Sequence, residues 1–327
     1  MIPIGYGKVI LLGEHFVVYG LPAIVTALDL VTTADLEQHE GMDLVIIDQR
    51  LKVPSYKPLK TVEYHNMMRA LFIKMGVAPY GWRITLHGTL PVSNGGIGAS
   101  AAAAVAVARA INHHFALNYS DEQINTAALH GEQEVHGTPS GIDNTAATFG
   151  GTFAFIKGHA HRNIQLPTPL HLVLADSGRA TNTKQILASL SAWHAQNATA
   201  ITHIFQQYHE LFAAAHAALA NGNLKALGCA MTQNHTLLAE LGASSPELDF
   251  LVNRALNAGA LGAKLTGTGC GGLMVALAST PQEQNIIAQE LSRAEFYTMQ
   301  TSIRPMPDQQ QISPIINSND TVRLKTW

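Results

Sequence analysis

The sequence predicts an α+β protein, long enough for two domains or one large one. Three observations carry that expectation. Short apolar and β-branched runs dominate up to about residue 176, whereas the pattern from about 181 to 257 is helical, which places a boundary near residues 165–180. A glycine-rich stretch, Pro91-Val92-Ser93-Asn94-Gly95-Gly96-Ile97-Gly98-Ala99-Ser100, separates an alternating strand pattern from an alanine-rich helical run. A second glycine cluster, Thr266-Gly267-Thr268-Gly269-Cys270-Gly271-Gly272, lies between two short apolar runs further on.

In chain order, residues 8–12 read as a strand that delivers the polar turn Gly13-Glu14-His15, and 23–31 and 44–48 read as further strands. Two prolines and several polar residues make 49–60 a loop, after which Val62, Met67, Met68, Leu71, Phe72 and Met75 mark a helix face over 61–76. Residues 82–87 alternate like a half-buried strand, with Trp82, Ile84 and Leu86 on one side, and lead into the glycine stretch. The helix that follows fades near Asn112, and Ser120 then reads as the N-cap of a helix reaching about His136. Pro139, flanked by Gly137 and Gly141, breaks that helix, so a turn is expected to present Asp143. Strands are expected over 149–157 and 170–176, helices over 183–195, 198–220, 224–241 and 246–257, and strands over 263–265 and 273–277. Past Arg304 the chain turns polar and no structure is assigned to it.

At 327 residues, 47% hydrophobic and 13% charged, the chain has the balance of an ordinary globular protein with a sizeable core. Twenty Lys and Arg against 23 Asp and Glu give a net charge of −3, so no basic field points to nucleic acid or to an anionic membrane. Only Cys229 and Cys270 are present and neither sits in a C-x-x-C pair, which points to a reducing compartment, the cytoplasm by default. The first residues do not read as a signal peptide, and the longest apolar run falls well short of the roughly 20 residues of a membrane span.

A glycine cluster that ends where a helix begins offers bare N–H groups, close backbone approach and the positive end of a helix dipole, which suits a phosphate chain. The same stretch also reads as a plain loop feeding a buried helix, and no P-loop sequence is present. Asp143 after its Pro/Gly turn is placed either to hold a carboxylate against a substrate hydroxyl or simply to cap the turn. Ser100 and Glu132 offer two hard oxygen ligands from two helices, a donor set that fits Mg²⁺ shared with phosphate oxygens. His130, Glu132, Glu134 and His136 fall within seven positions, yet His-Glu-x-x-His is absent and a zinc site is not expected. Gly267 to Gly272 matches the dinucleotide fingerprint in spacing but runs into a strand where that fingerprint needs a helix.

Four stretches in order carry a family resemblance. Lys8-Val9-Ile10-Leu11-Leu12-Gly13-Glu14-His15-Phe16-Val17-Val18-Tyr19-Gly20 resembles the N-terminal signature of the mevalonate kinases, a branch of the GHMP kinase superfamily. Pro91 to Ala102 is similar to the superfamily's phosphate-binding motif. His136-Gly137-Thr138-Pro139-Ser140-Gly141-Ile142-Asp143-Asn144 resembles the branch's His-Gly-x-Pro-Ser-Gly-x-Asp-Asn segment, and Lys264 to Gly272 its C-terminal glycine motif.

The resemblance implies a GHMP kinase fold, with an N-terminal domain like ribosomal protein S5 over 1–175 and a ferredoxin-like C-terminal domain over 176–327. It implies transfer of the γ-phosphoryl of ATP to the 5-hydroxyl of mevalonate, with Mg²⁺ as cofactor and a homodimer allowed. Asp143 would be the general base and Lys8 the cation beside it, with Glu14, His15 and Thr183 orienting the substrate. Pro91, Gly95, Gly96, Ile97, Gly98, Ala99, Ser100 and Ala101 would hold ATP, and Ser100 and Glu132 the metal. Ala99 stands where the family often has a first serine, and Cys270 replaces a common glycine. A sibling kinase for phosphomevalonate, homoserine or a sugar, and a silent ligand sensor on the same fold, are the alternatives.

Overall fold

The computed structural model describes residues 3–54, 56, 61–93, 95–179 and 197–305. The expected helix over 183–195 lies outside the described residues. Two sheets organise the rest, and the change from one to the other falls between residues 163 and 170, shortly before the division expected at residue 175.

The first sheet has six strands. β1 (Ile4–Leu12) pairs antiparallel with β2 (Ala23–Gln38), which also pairs with β4 (Trp82–Gly88) and β5 (Thr152–Phe155). β3 (Leu44–Asp48) runs parallel to β4 at one edge, and the short β6 (Arg162–Asn163) closes the other. β2 extends past the expected end at residue 31, because Thr32, Ala34 and Leu36 turn inward while Asp35 and Glu37 face water. Among the described residues, four helices accompany this sheet: α1 (Thr61–Lys74), α2 (Ala99–His114), α3 (Asp121–His136) and α4 (Ile142–Phe149).

α3 opens on the expected cap: the Ser120 hydroxyl accepts from Gln123 N, and the Gln123 side chain accepts from Ser120 N. Every residue from Ala101 to Ala108 in α2 is fully buried, so small side chains let this helix lie against β1 and β2 over a wide face. The strand expected over 149–157 is shorter, since Phe149 ends α4 and Gly150 and Gly151 break the chain before Thr152. Asp143 likewise sits in the first turn of α4 rather than in an open turn.

The second sheet lies in the order β10 (Thr298–Ile303), β7 (Leu170–Asp176), β9 (Leu273–Ala278), β8 (Gly262–Thr266), all antiparallel. Numbered within the sheet, that is the 4-1-3-2 order of the ferredoxin-like split βαβ arrangement. Its helices are α5 (Ala198–Ala220), α6 (Leu224–Glu240), α7 (Pro246–Asn257) and α8 (Pro281–Arg293). Among the described residues no helix is long and apolar enough to cross a membrane. β1 touches β8 and α6, so the turn after β1 faces the second sheet.

Candidate active site

β1 supplies the first functional side chain. Lys8 is buried, and its Nζ lies 2.9 Å from Asp143 Oδ1, whose side chain is 41% exposed. Gly141 at φ 91° serves as the N-cap of α4 with no side-chain bond of its own, and Asp143 follows in the first turn, where the helix dipole favours a carboxylate. The same lysine is tied to the glycine stretch through its backbone, since Lys8 N donates to Ile97 O at 3.0 Å. A Cβ on Gly98 would come within 3.0 Å of Lys8 Cγ, and Gly98 itself holds φ 71°, so glycine is required there on both counts.

Gly98 is the N-cap of α2 and contributes no side-chain bond, which leaves the first N–H groups of the helix without a capping partner of that kind. Pro91, Ile97, Ala99 and Ala101 turn their side chains inward, whereas Gly95, Gly96, Gly98 and Ser100 are half-buried. What the stretch can offer a ligand is therefore mostly backbone. Asn94 is outside the described residues. At the second residue of α2, Ser100 Oγ donates to Glu132 Oε1 at 2.6 Å, bringing the start of α2 and the C-terminal half of α3 together. Among the described residues no group of three or more His, Cys, Asp or Glu could hold a metal ion, so a cation here would rest on this oxygen pair together with ligand oxygens.

The second glycine cluster closes against the first. A Cβ on Gly267 would lie 2.6 Å from Gly96 Cα, and one on Gly96 would lie 2.8 Å from Thr266 O. His15 Nε2 is 2.7 Å from Thr268 O, and Thr266 Oγ1 accepts from Ile10 N at 3.1 Å. The turn after β1 and the loop after β8 are thus stitched together.

Glu14 is buried beside Lys264 of β8, and the two form an ion pair; Lys264 Nζ also donates to Leu265 O at 2.6 Å. Burial pushes the Glu14 carboxyl up and the Lys264 ammonium down, and each partner's charge opposes the other's shift. Glu14 Oε2, also buried, has no hydrogen-bond partner among the described residues.

The structure therefore brings Lys8, Asp143, Ser100, Glu132, Glu14 and His15 to one junction between the sheets, through the glycine stretch and the loop after β8. Thr183 lies outside the described residues.

Residues 62–151 match the family model described as GHMP kinases N terminal domain, and residues 215–298 match GHMP kinases C terminal. The chain is 33% identical over 282 residues to a mevalonate kinase of Aeropyrum pernix, covering 83% of this chain and 86% of that protein. It is 31% identical over 318 residues to a mevalonate kinase of Thermococcus sibiricus, covering 90% and 94% of the two chains. The chain belongs to the mevalonate kinase family. The crystal structure of L. major mevalonate kinase in complex with R-mevalonate superposes with a TM-score of 0.88 at 35% identity, covering 93% of this chain and 96% of that one. The two-domain GHMP kinase fold follows from the same match.

Two further residues packed around this junction have no role in the sequence analysis. Lys264 carried a signal, a lysine inside the otherwise apolar Gly262–Thr266, which calls for a buried anion. Arg50 carried none, because its partners come from four separate segments.

Proposed function

We propose that the chain transfers the γ-phosphoryl of ATP to the 5-hydroxyl of mevalonate, releasing ADP and 5-phosphomevalonate. The observation that carries this is the pair of Lys8 on β1 and Asp143 on α4, 2.9 Å apart, with the Lys8 backbone bonded to the glycine stretch. A carboxylate open to solvent on one side can take the hydroxyl proton while the substrate oxygen forms its bond to the γ-phosphorus. The bond from that phosphorus to the β,γ-bridging oxygen breaks, and the electron pair leaves on ADP. Lys8, buried behind the carboxylate, keeps it oriented and offsets negative charge as the proton moves.

The bare backbone from Gly95 to Ser100 is the phosphate cradle, with Ile97, Ala99 and Ala101 contributing main chain and Pro91 setting the entry. Ser100 and Glu132, two hard oxygens already 2.6 Å apart, fit Mg²⁺ and would hold it. When bound, that metal neutralises charge on the phosphate oxygens. Glu14 Oε2, a buried acceptor without a partner among the described residues, supports a role for the Glu14-His15 turn in orienting the acceptor alcohol, with Thr183 assigned to the same task. Two unpaired cysteines support a cytoplasmic location.

The choice of mevalonate is supported by the identity to mevalonate kinases and by the mevalonate-bound relative. A coupled ADP-release assay across mevalonate, phosphomevalonate, homoserine and galactose tests it. Turnover with mevalonate alone is expected. Turnover with another alcohol instead would make the chain a sibling kinase, and ADP release with none would make it a ligand sensor.

A further inference from the structure

Arg50 follows β3 in a segment that reads as a plain loop, yet its side chain is only 1% exposed. All five of its N–H donors are engaged. Nε donates to Asp48 Oδ1 at 2.9 Å and Nη2 to Asp48 Oδ2 at 2.6 Å; Nη2 also reaches the Tyr64 hydroxyl at 3.2 Å. Nη1 donates to Thr32 Oγ1 at 3.1 Å and to the Ala99 carbonyl at 2.9 Å. One planar fork therefore joins β2, the end of β3, α1 and the first residue of α2, a pattern only a guanidinium can satisfy.

Ala99 sits between Gly98, which gives α2 no side-chain cap, and Ser100. Just beyond Arg50, Leu51 O accepts from Val92 N at 2.7 Å and Val53 N donates to Val92 O at 3.0 Å, while Lys52 and Val92 form a parallel bridge. Residues 50–53 thus hold the glycine stretch at both ends, at Val92 and at Ala99. A glycine-rich loop has little intrinsic preference for one shape, so its order has to be imposed from outside. Asp48 neutralises the guanidinium through two bonds, so the influence of Arg50 on bound phosphates is geometric more than coulombic.

We propose that Arg50 is a positioning residue for ATP: it fixes the start of α2, and with it Ser100 and the bare N–H groups that meet the phosphates. This rests on the phosphate-cradle reading of the glycine stretch, and goes beyond it by naming what holds the cradle in shape.

Arg50→Lys keeps the charge and loses the fork. The Michaelis constant for ATP is expected to rise about tenfold or more, with affinity for Mg·ADP falling in parallel and the Michaelis constant for mevalonate staying within about twofold. Tyr64→Phe and Thr32→Val remove other bonds to the same guanidinium and leave the Ala99 carbonyl bonded. They are expected to lower the melting temperature while moving the ATP constant by less than about twofold. An Arg50→Lys protein whose ATP constant is unmoved would overturn the proposal. So would Tyr64→Phe or Thr32→Val raising that constant as far as Arg50→Lys does. Should Arg50→Lys not fold, the double variant Asp48→Asn/Arg50→Gln, which buries no unpaired charge, is measured against the same two outcomes. Titration calorimetry with Mg·ADP reads Arg50 even if mevalonate proves not to be the acceptor, so the two readings fail separately.

Discussion

The pair formed by Lys8 and Asp143 is asymmetric: the lysine is enclosed by protein, whereas the aspartate opens to solvent. An enclosed cation holds its partner in one orientation, and an open carboxylate has room for a substrate hydroxyl.

Asp143→Asn keeps the shape and removes the proposed proton acceptor. We expect kcat to fall about a thousandfold, with Mg·ADP affinity changed by less than about twofold, as measured by steady-state kinetics and calorimetry. An asparagine variant with wild-type turnover would remove Asp143 from its role as base.

Ser100→Ala and Glu132→Gln each take away one of the two hard oxygens joined at 2.6 Å. The Mg²⁺ concentration for half-maximal activity is expected to rise about tenfold in either. A magnesium titration that superposes on the wild-type curve would place the cation elsewhere.

His235 couples α6 to β8: its Nδ1 accepts from Leu265 N at 3.3 Å and its Nε2 bonds Asp249 at 3.1 Å. Burial holds its pKa below the usual histidine value, with Asp249 opposing. A depressed folded-state pKa gives stability that is present above about pH 6.5 and is lost as pH falls through the folded value, since the unfolded chain takes the proton first. Protonation also turns Nδ1 into a donor facing the Leu265 N–H. The melting temperature is therefore expected to drop on acidification below about pH 6.5, and less so in His235→Gln. His161 and His216, held low by burial as well, act in the same direction, so the difference between the two proteins isolates His235. Parallel acid profiles would show that His235 makes no separate contribution.

Cys270 sits in the second glycine cluster at φ 54°, and its Sγ lies 3.4 Å from Gly242 O. Burial pushes its thiol pKa up, with Arg179 opposing, which leaves little thiolate at neutral pH. Cys229 is exposed on α6. Stoichiometric alkylation at pH 7 is expected to label Cys229 first and to spare activity, as followed by peptide mass spectrometry. Preferential labelling of Cys270 with loss of activity would make the second glycine cluster thiol-sensitive instead.

Much of this architecture is legible in the sequence where the cause is local. Ser120 announces α3, Pro246 behind Ser245 announces α7, and the apolar spacing of 198–220 and 224–241 announces α5 and α6 within a residue. α8 and β10 were not anticipated, although Thr280-Pro281 followed by Glu283 is a capping signature, and the Thr280 hydroxyl does accept from Glu283 N. Three of the motifs mark Lys8, Ser100 and Asp143, and the family resemblance adds Glu132, but the pairing of Ser100 with Glu132 depends on two helices meeting. Nor could spacing show that Glu14 would find Lys264, 250 residues away, or that Arg50 would gather four segments. Such convergence belongs to the tertiary fold.

The meeting of Gly96 with Gly267 also limits how this chain can change over evolutionary time. Most tight contacts drift by exchange, one side gaining volume as the other gives it up. Between two glycines there is nothing left to give up, so neither position can mutate first and wait for its neighbour. Both glycine clusters are locked where they meet.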